Sequence, residues 1–272
     1  MPLRRTLVVV GLLAMVAIVG CSRLTFVKPR FKSDFHSTAP DYAVRDDPRD
    51  AQRIMAIDQV AVAQQAMQAG RLDEAEVHAR AALKADPKSS DAYTLLAMIR
   101  DHSGRTAEAG ELYAKALAFA PTRGVALNNY GAWLCSNGRA AESIPLFKRA
   151  VADPGYSTPA AAVANAGSCE LKLGQDALAA AYLAQALQLD PQNPVGLEAM
   201  AESRYRAGQY MEARAFSERR LAVAPPSVKV LQLASQIEQK LGDTAAAARY
   251  VQRIATEFPQ QQRAVPTGDA SH

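Results

Sequence analysis

Nearly half of the 272 residues are apolar, while only 6% are aromatic, so the chain can bury a sizeable core but must build it from small side chains. Alanine is abundant and long stretches lack the Val, Ile, Thr and Tyr runs of strands, which predicts an all-α fold of closely packed helices. A formal net charge of +4, with bases interspersed among acids and no aromatic interleaving, excludes a nucleic-acid groove and reads as solvated helix faces.

Residues 1–20 read as a secretion signal. Arg4 and Arg5 precede an apolar run from Leu7 to Gly20 that ends in small residues. The run is shorter than the roughly 20 residues of a membrane-spanning helix, so a permanent transmembrane anchor is the weaker reading. Ile18-Val19-Gly20-Cys21 resembles the bacterial lipobox, and the resemblance implies that Cys21 is acylated and becomes the first residue of the mature chain. The competing reading is an ordinary signal beside a chance cysteine. Ser22 stands where an Asp tends to hold such lipoproteins in the inner membrane, so the expectation is the outer membrane, periplasmic face. Acyl chains alone, at about 0.8 kcal/mol per buried methylene, suffice for stable anchoring. Cleavage removes two bases and no acid, leaving a charge too small to argue for nucleic acid.

Residues 21–47 carry Lys28, Pro29, Arg30, Lys32, His36 and Pro40 with no sustained apolar period, and are expected to be a tether. Asp47-Pro48 then signals a helix start, Asp47 as N-cap and Pro48 at the first helical position, where its missing N–H costs nothing. From here the chain repeats itself. Gly70, Gly104, Gly138, Gly174, Gly208 and Gly242 are separated by 34, 34, 36, 34 and 34 residues. Each is followed by a second helical segment ending near Pro87, Pro121, Pro154, Pro191, Pro225 or Pro259. A helix-turn-helix unit of about 34 residues is the tetratricopeptide period. Residues 48–262 are therefore assigned to a superhelical solenoid of six such repeats, and 263–272 to a polar tail.

The packing positions agree with that period. Counting each unit from about 31 residues before its closing proline, the eighth position holds Ala63, Ala97, Gly131, Gly167, Ala201 and Ser235. The twentieth holds Ala75, Ala109, Ser143, Ala179, Ala213 and Ala247. Only small side chains fit where two helices cross closely. At the twenty-seventh position Ala82, Ala116, Ala150 and Ala186 fit, whereas Arg220 and Ile254 depart, making the last two units less regular. The third unit carries two extra residues, expected in the loop around Asp153 to Pro159. A helical pair cannot bury its apolar face alone, so stacking is expected to form a continuous core and a concave surface.

Chemistry is sparse. His36, His78, His102 and His272 fall in no metal-ligand spacing, and no phosphate-cradling, dinucleotide or nucleophile-elbow motif occurs. No cofactor, metal or small-molecule substrate is expected. Asp101, His102 and Cys135 lie on corresponding turns of neighbouring first helices, but nothing supplies an oxyanion hole, so the chain is not expected to be an enzyme. Cys135 and Cys169, one repeat apart, are expected to pair as a disulfide in an oxidising periplasm, two separate buried thiols being the alternative. Asn129 and Asn165 occupy the sixth position of consecutive repeats. They are candidates to hold a ligand backbone, the alternative being that each bonds a neighbouring helix or water.

Lipobox, short tether, six repeats, the phrase Leu127-Asn128-Asn129-Tyr130-Gly131-Ala132-Trp133-Leu134 and a lengthened loop before the fourth unit together resemble the type IV pilus biogenesis lipoproteins PilF and PilW. The resemblance implies a lipid-anchored protein that binds subunits of the pilus secretin and promotes their outer-membrane localisation or ring assembly. A repeat lipoprotein that scaffolds peptidoglycan hydrolases is the alternative. The face expected to turn inward, roughly positions 2, 5, 9, 12 and 13, is apolar in the first repeat (Ile57, Val60, Gln64, Met67, Gln68) and wet in the sixth (Lys229, Gln232, Gln236, Gln239, Lys240). The partner segment is therefore expected to dock on Ile57, Val60, Gln64 and Met67 and to extend toward Asn128, Asn129 and Asn165. The competing reading has the tether or the neighbouring helix cover Ile57, Val60 and Met67 as ordinary core.

Overall fold

The computed structural model describes residues 47–259, so the signal, the tether before Asp47 and the tail lie outside the described residues, as does Cys21. Twelve helices fill the described residues, in six antiparallel pairs. In chain order they are α1 Pro48–Gln68, α2 Leu72–Ala85, α3 Ser90–His102, α4 Thr106–Phe119, α5 Gly124–Ser136, α6 Ala140–Val151, α7 Pro159–Lys172, α8 Asp176–Leu189, α9 Pro194–Arg206, α10 Tyr210–Val223, α11 Val228–Leu241 and α12 Thr244–Glu257. No described helix is long and apolar enough to cross a membrane. Asp47 caps α1 as its sequence suggests, its carboxylate accepting the Arg49 N–H at 2.9 Å, with Pro48 at the first helical position.

Each turn between paired helices is built the same way. The six periodic glycines all have φ between 72° and 82°, the left-handed region that a side chain disfavours, and no neighbour crowds the place of a Cβ there. The N–H of the following residue closes on the carbonyl five residues back, as in Arg71 to Ala66 at 2.9 Å and Gln175 to Glu170 at 2.9 Å. A second group of glycines answers to space instead. A Cβ on Gly131 would lie 2.8 Å from the Phe147 ring, and one on Gly167 would lie 2.7 Å from Leu183, where the paired helices cross. The other small residues at the eighth and twentieth positions are buried, Ala63, Ala75, Ala97, Ala109, Ala179 and Ala213 completely.

Successive first helices touch one another, α1 with α3, α3 with α5 and onward to α11, whereas successive second helices do not. The units therefore converge along their first helices, and these line the inner, concave side of the superhelix. The irregular places have local reasons. Arg220, where alanine is the norm, turns its guanidinium onto the carbonyls of Ala224 and Pro225 at 3.1 and 3.3 Å. The loop before α7 seats Tyr156 over Gly124, and Asp153 accepts the Gly124 N–H at 2.6 Å and the Gly155 N–H at 2.9 Å. Those two N–H groups hold the Asp153 carboxyl below its usual range. The extra residues thus fill the junction between the third and fourth units.

Ion pairs latch the junctions at both ends of the array. Glu76 of α2 pairs with Arg100 of α3, whose Nη1 donates at 2.7 Å, and Arg214 of α10 pairs with Glu238 of α11, Nε donating at 2.9 Å. The places are equivalent and the charges reversed. At the junctions between them the place of Glu76 is taken by Gly110, Ile144 and Ala180, which carry no charge. Arg100 and Glu238 are buried, so removing either partner strands a poorly solvated charge. The Arg100 hydrogen bonds, aided by Arg80 and opposed by partial burial, hold the Glu76 carboxyl down at about 2. A depressed carboxylate contributes stability above its ordinary range and loses it as pH falls through the folded value. The contribution of this pair to the stability of the first repeat is thus expected to decline below about pH 4.5 and to be lost as pH falls through about 2. Glu76→Gln should flatten that decline, as circular dichroism against pH would show. An unchanged acid limb would refute the latch.

Candidate partner-binding groove

The inner face of the first repeat differs from the sequence expectation at two of its four residues. Ile57 is 60% exposed and Gln64 is exposed. Val60 is buried, packed with Ala63, Ala79, Ala92, Leu95 and Leu96, and the half-buried Met67 packs against Ala66, Ala75 and Ile99. The cause is the close approach of α3 to α1, which turns the fifth and twelfth positions into the helix–helix seam. These two residues are core, as the competing reading had it, and only Ile57 and Gln64 face solvent.

The asparagines meet across the seam between α5 and α7. Asn165 Nδ2 donates to Asn128 Oδ1 at 2.9 Å, so Asn165 bonds the neighbouring helix, and Asn129 is half-buried beside that pair. The pair spends one donor and one acceptor on itself. The remaining Asn128 N–H groups and Asn165 carbonyl are left for a bound backbone. Further along the same seam Cys135 and Cys169 form a disulfide, Cα atoms 5.9 Å apart and both residues buried. Cys135 consequently has no thiol to act as a nucleophile. Lys172 Nζ caps the Cys135 carbonyl at 3.2 Å, and Arg206 Nη1 caps the Leu171 carbonyl at 2.9 Å one repeat later. Tyr130 stacks on Tyr113 and on Trp133, Tyr113 and Trp133 are tilted to one another, ring centroids are 5.9 to 6.3 Å apart, and Trp133 fills the space over Gly110, so the three serve packing.

Sequence reasoning did not find a further opening toward the amino-terminal end of the array. A cleft of about 470 Å3 lies at the loop edge of the first three repeats, between Arg53, Ile57 and Val60 of α1, Lys88 in the loop before α3, and Phe119 and Arg123 at the end of α4 and in the loop after it. Toward the other end the inner face is ionic, Lys229 reaching Glu198 at 3.1 Å and Glu202 at 3.4 Å. The available signal was Phe119, a large aromatic residue placed at the closing turn where the other units carry smaller side chains. Repeat periodicity carries no information about such a turn.

A stack of six helical pairs with an open inner face defines a tetratricopeptide-repeat protein, a protein-interaction scaffold. Tetratricopeptide repeat family models match residues 66–129 and 128–194. The type IV pilus assembly protein PilF of Pseudomonas aeruginosa is 29% identical over 194 residues, which are 71% of this chain and 77% of that protein. The crystal structure of PilW, a widely conserved type IV pilus biogenesis factor, superposes with a TM-score of 0.63 at 32% identity, covering 75% of this chain and 94% of PilW. A solved structure of P. aeruginosa PilF superposes with a TM-score of 0.62 at 27% identity, covering 79% and 95%. The chain belongs to the PilF/PilW family of tetratricopeptide repeat proteins.

Proposed function

We propose that the chain is an outer-membrane lipoprotein that binds subunits of a type IV pilus secretin on its inner groove and promotes their assembly at that membrane. The observation that carries this reading is the 32% identity to PilW over 75% of this chain and 94% of the PilW chain. The lipobox ending at Cys21 supports the anchoring, and an open groove with Ile57, Gln64 and the Asn128–Asn165 pair supports docking of an extended segment. Anchoring would keep the scaffold at the membrane where the ring is built.

Deleting the gene is expected to abolish secretin multimers and twitching. Palmitate labelling should mark the wild-type protein, and Cys21→Ala should abolish the label and release the chain from the outer-membrane fraction. Normal multimers in the deletion strain, with wall-hydrolase activity altered instead, would overturn the secretin reading. Absence of label on the wild type would overturn the anchor.

A further inference from the structure

The loop-edge cleft of the first three repeats carries a chemistry of its own. Ile57 and Phe119 line it with 60% and 44% of their surfaces exposed, large apolar side chains left facing an opening of about 470 Å3. Tyr93 stacks on Phe119 with ring centroids 5.5 Å apart, so the aromatic wall is held in place. Ala56, Val60 and Ala120 complete the apolar lining. Exposed apolar walls at the lip of an interaction groove are a place for one bulky side chain of a partner.

The charges at the same lip are unbalanced in what they have left to offer. Asp91 is already bonded by Arg123 Nη1 at 2.8 Å, and Asp86 Oδ1 accepts the backbone N–H of Lys88 at 2.9 Å as part of the turn. The Lys88 ammonium takes part in no ion pair among the described residues. Arg53 meets Asp50 at 3.2 Å with both side chains widely exposed, a pairing that water screens to little. The lip carries three bases, Arg53, Lys88 and Arg123, against two acids, Asp86 and Asp91, so an acidic segment meets the charge in excess, and a purely apolar one would desolvate Lys88 and Arg53 without a partner.

We propose that this cleft takes an extended acidic segment of the partner protein, one bulky apolar side chain between Ile57 and Phe119, with flanking carboxylates on Lys88 and Arg53. The inference rests on the reading that the inner groove docks a protein segment. It adds what that segment must look like.

The test uses the purified full-length chain in mild detergent and fluorescence anisotropy with end-blocked peptides. One peptide carries Phe flanked by Asp and Glu, a second replaces the acids by Asn and Gln, and a third replaces Phe by Ala. The acidic Phe peptide should bind, about fivefold or more tightly than either analogue, and weaken as salt is raised. Lys88→Glu and Phe119→Ala should each lower its affinity by a similar factor while the helical spectrum stays unchanged. Equal binding of the three peptides, or an acidic-peptide affinity untouched by Lys88→Glu, overturns the proposal. A parallel capture of secretin from outer-membrane extract separates the two readings. If wild type and Lys88→Glu capture it equally, the acidic-segment proposal falls and the docking reading stands. If wild type captures none while the peptide preference holds, the cleft chemistry stands and the secretin reading falls.

Discussion

Val60→Asp is expected to melt the first repeat. The side chain is buried in the seam between α1, α2 and α3 against Ala63, Ala79, Leu95 and Leu96, apolar neighbours that offer a new carboxylate no partner. An unpaired buried charge costs about 3 to 5 kcal/mol. In a stacked array each unit contacts its neighbours only, so that cost falls on one terminal unit. The loss should appear as an early transition in thermal circular dichroism, preceding the melting of the remaining repeats. Ile57→Asp is the matched control, since a side chain 60% exposed loses little on becoming charged. It should melt like wild type and, on the docking reading, bind secretin less well. A Val60→Asp protein with the wild-type melting curve would place that residue in the open groove after all.

Removing the disulfide is expected to loosen the centre of the array. Cys135 and Cys169 are 34 residues apart in sequence, and closing a loop of that length restricts the unfolded chain by about 3 to 4 kcal/mol. The bond also holds α5 against α7, where the Asn128–Asn165 bridge and the Lys172 contact lie. The double variant Cys135→Ala with Cys169→Ala avoids leaving a free thiol. Its urea midpoint should fall, and the amides of α5 and α7 should exchange faster than those of α9. Intact-mass measurement after alkylation without reduction checks the premise. Two capped thiols in the wild type would remove it.

Much of the architecture is legible because it is periodic. The left-handed turns need glycine and the helix crossings need small residues, so both recur at fixed spacing, and Gly70, Ala63 and Ala75 announce a unit before any coordinates exist. The lengthened loop is legible for the same reason, as a break in the period. The direction of an inner-face side chain is different. Val60 and Met67 share the residue type and register of a groove, yet the distance between α1 and α3 makes them core. Asn129 repeats Asn165 in register, but Asn128 is the residue near enough to bond it, because neighbouring units are rotated and not merely translated. The amino-acid sequence thus determined the repeat, the turn chemistry and the order of the units, all set by contacts within about 34 residues. Only the tertiary structure decided which inner-face residues stay exposed and how α1, the loop before α3 and the end of α4 meet around Ile57, Lys88 and Phe119, since that depends on how one unit is rotated against the next.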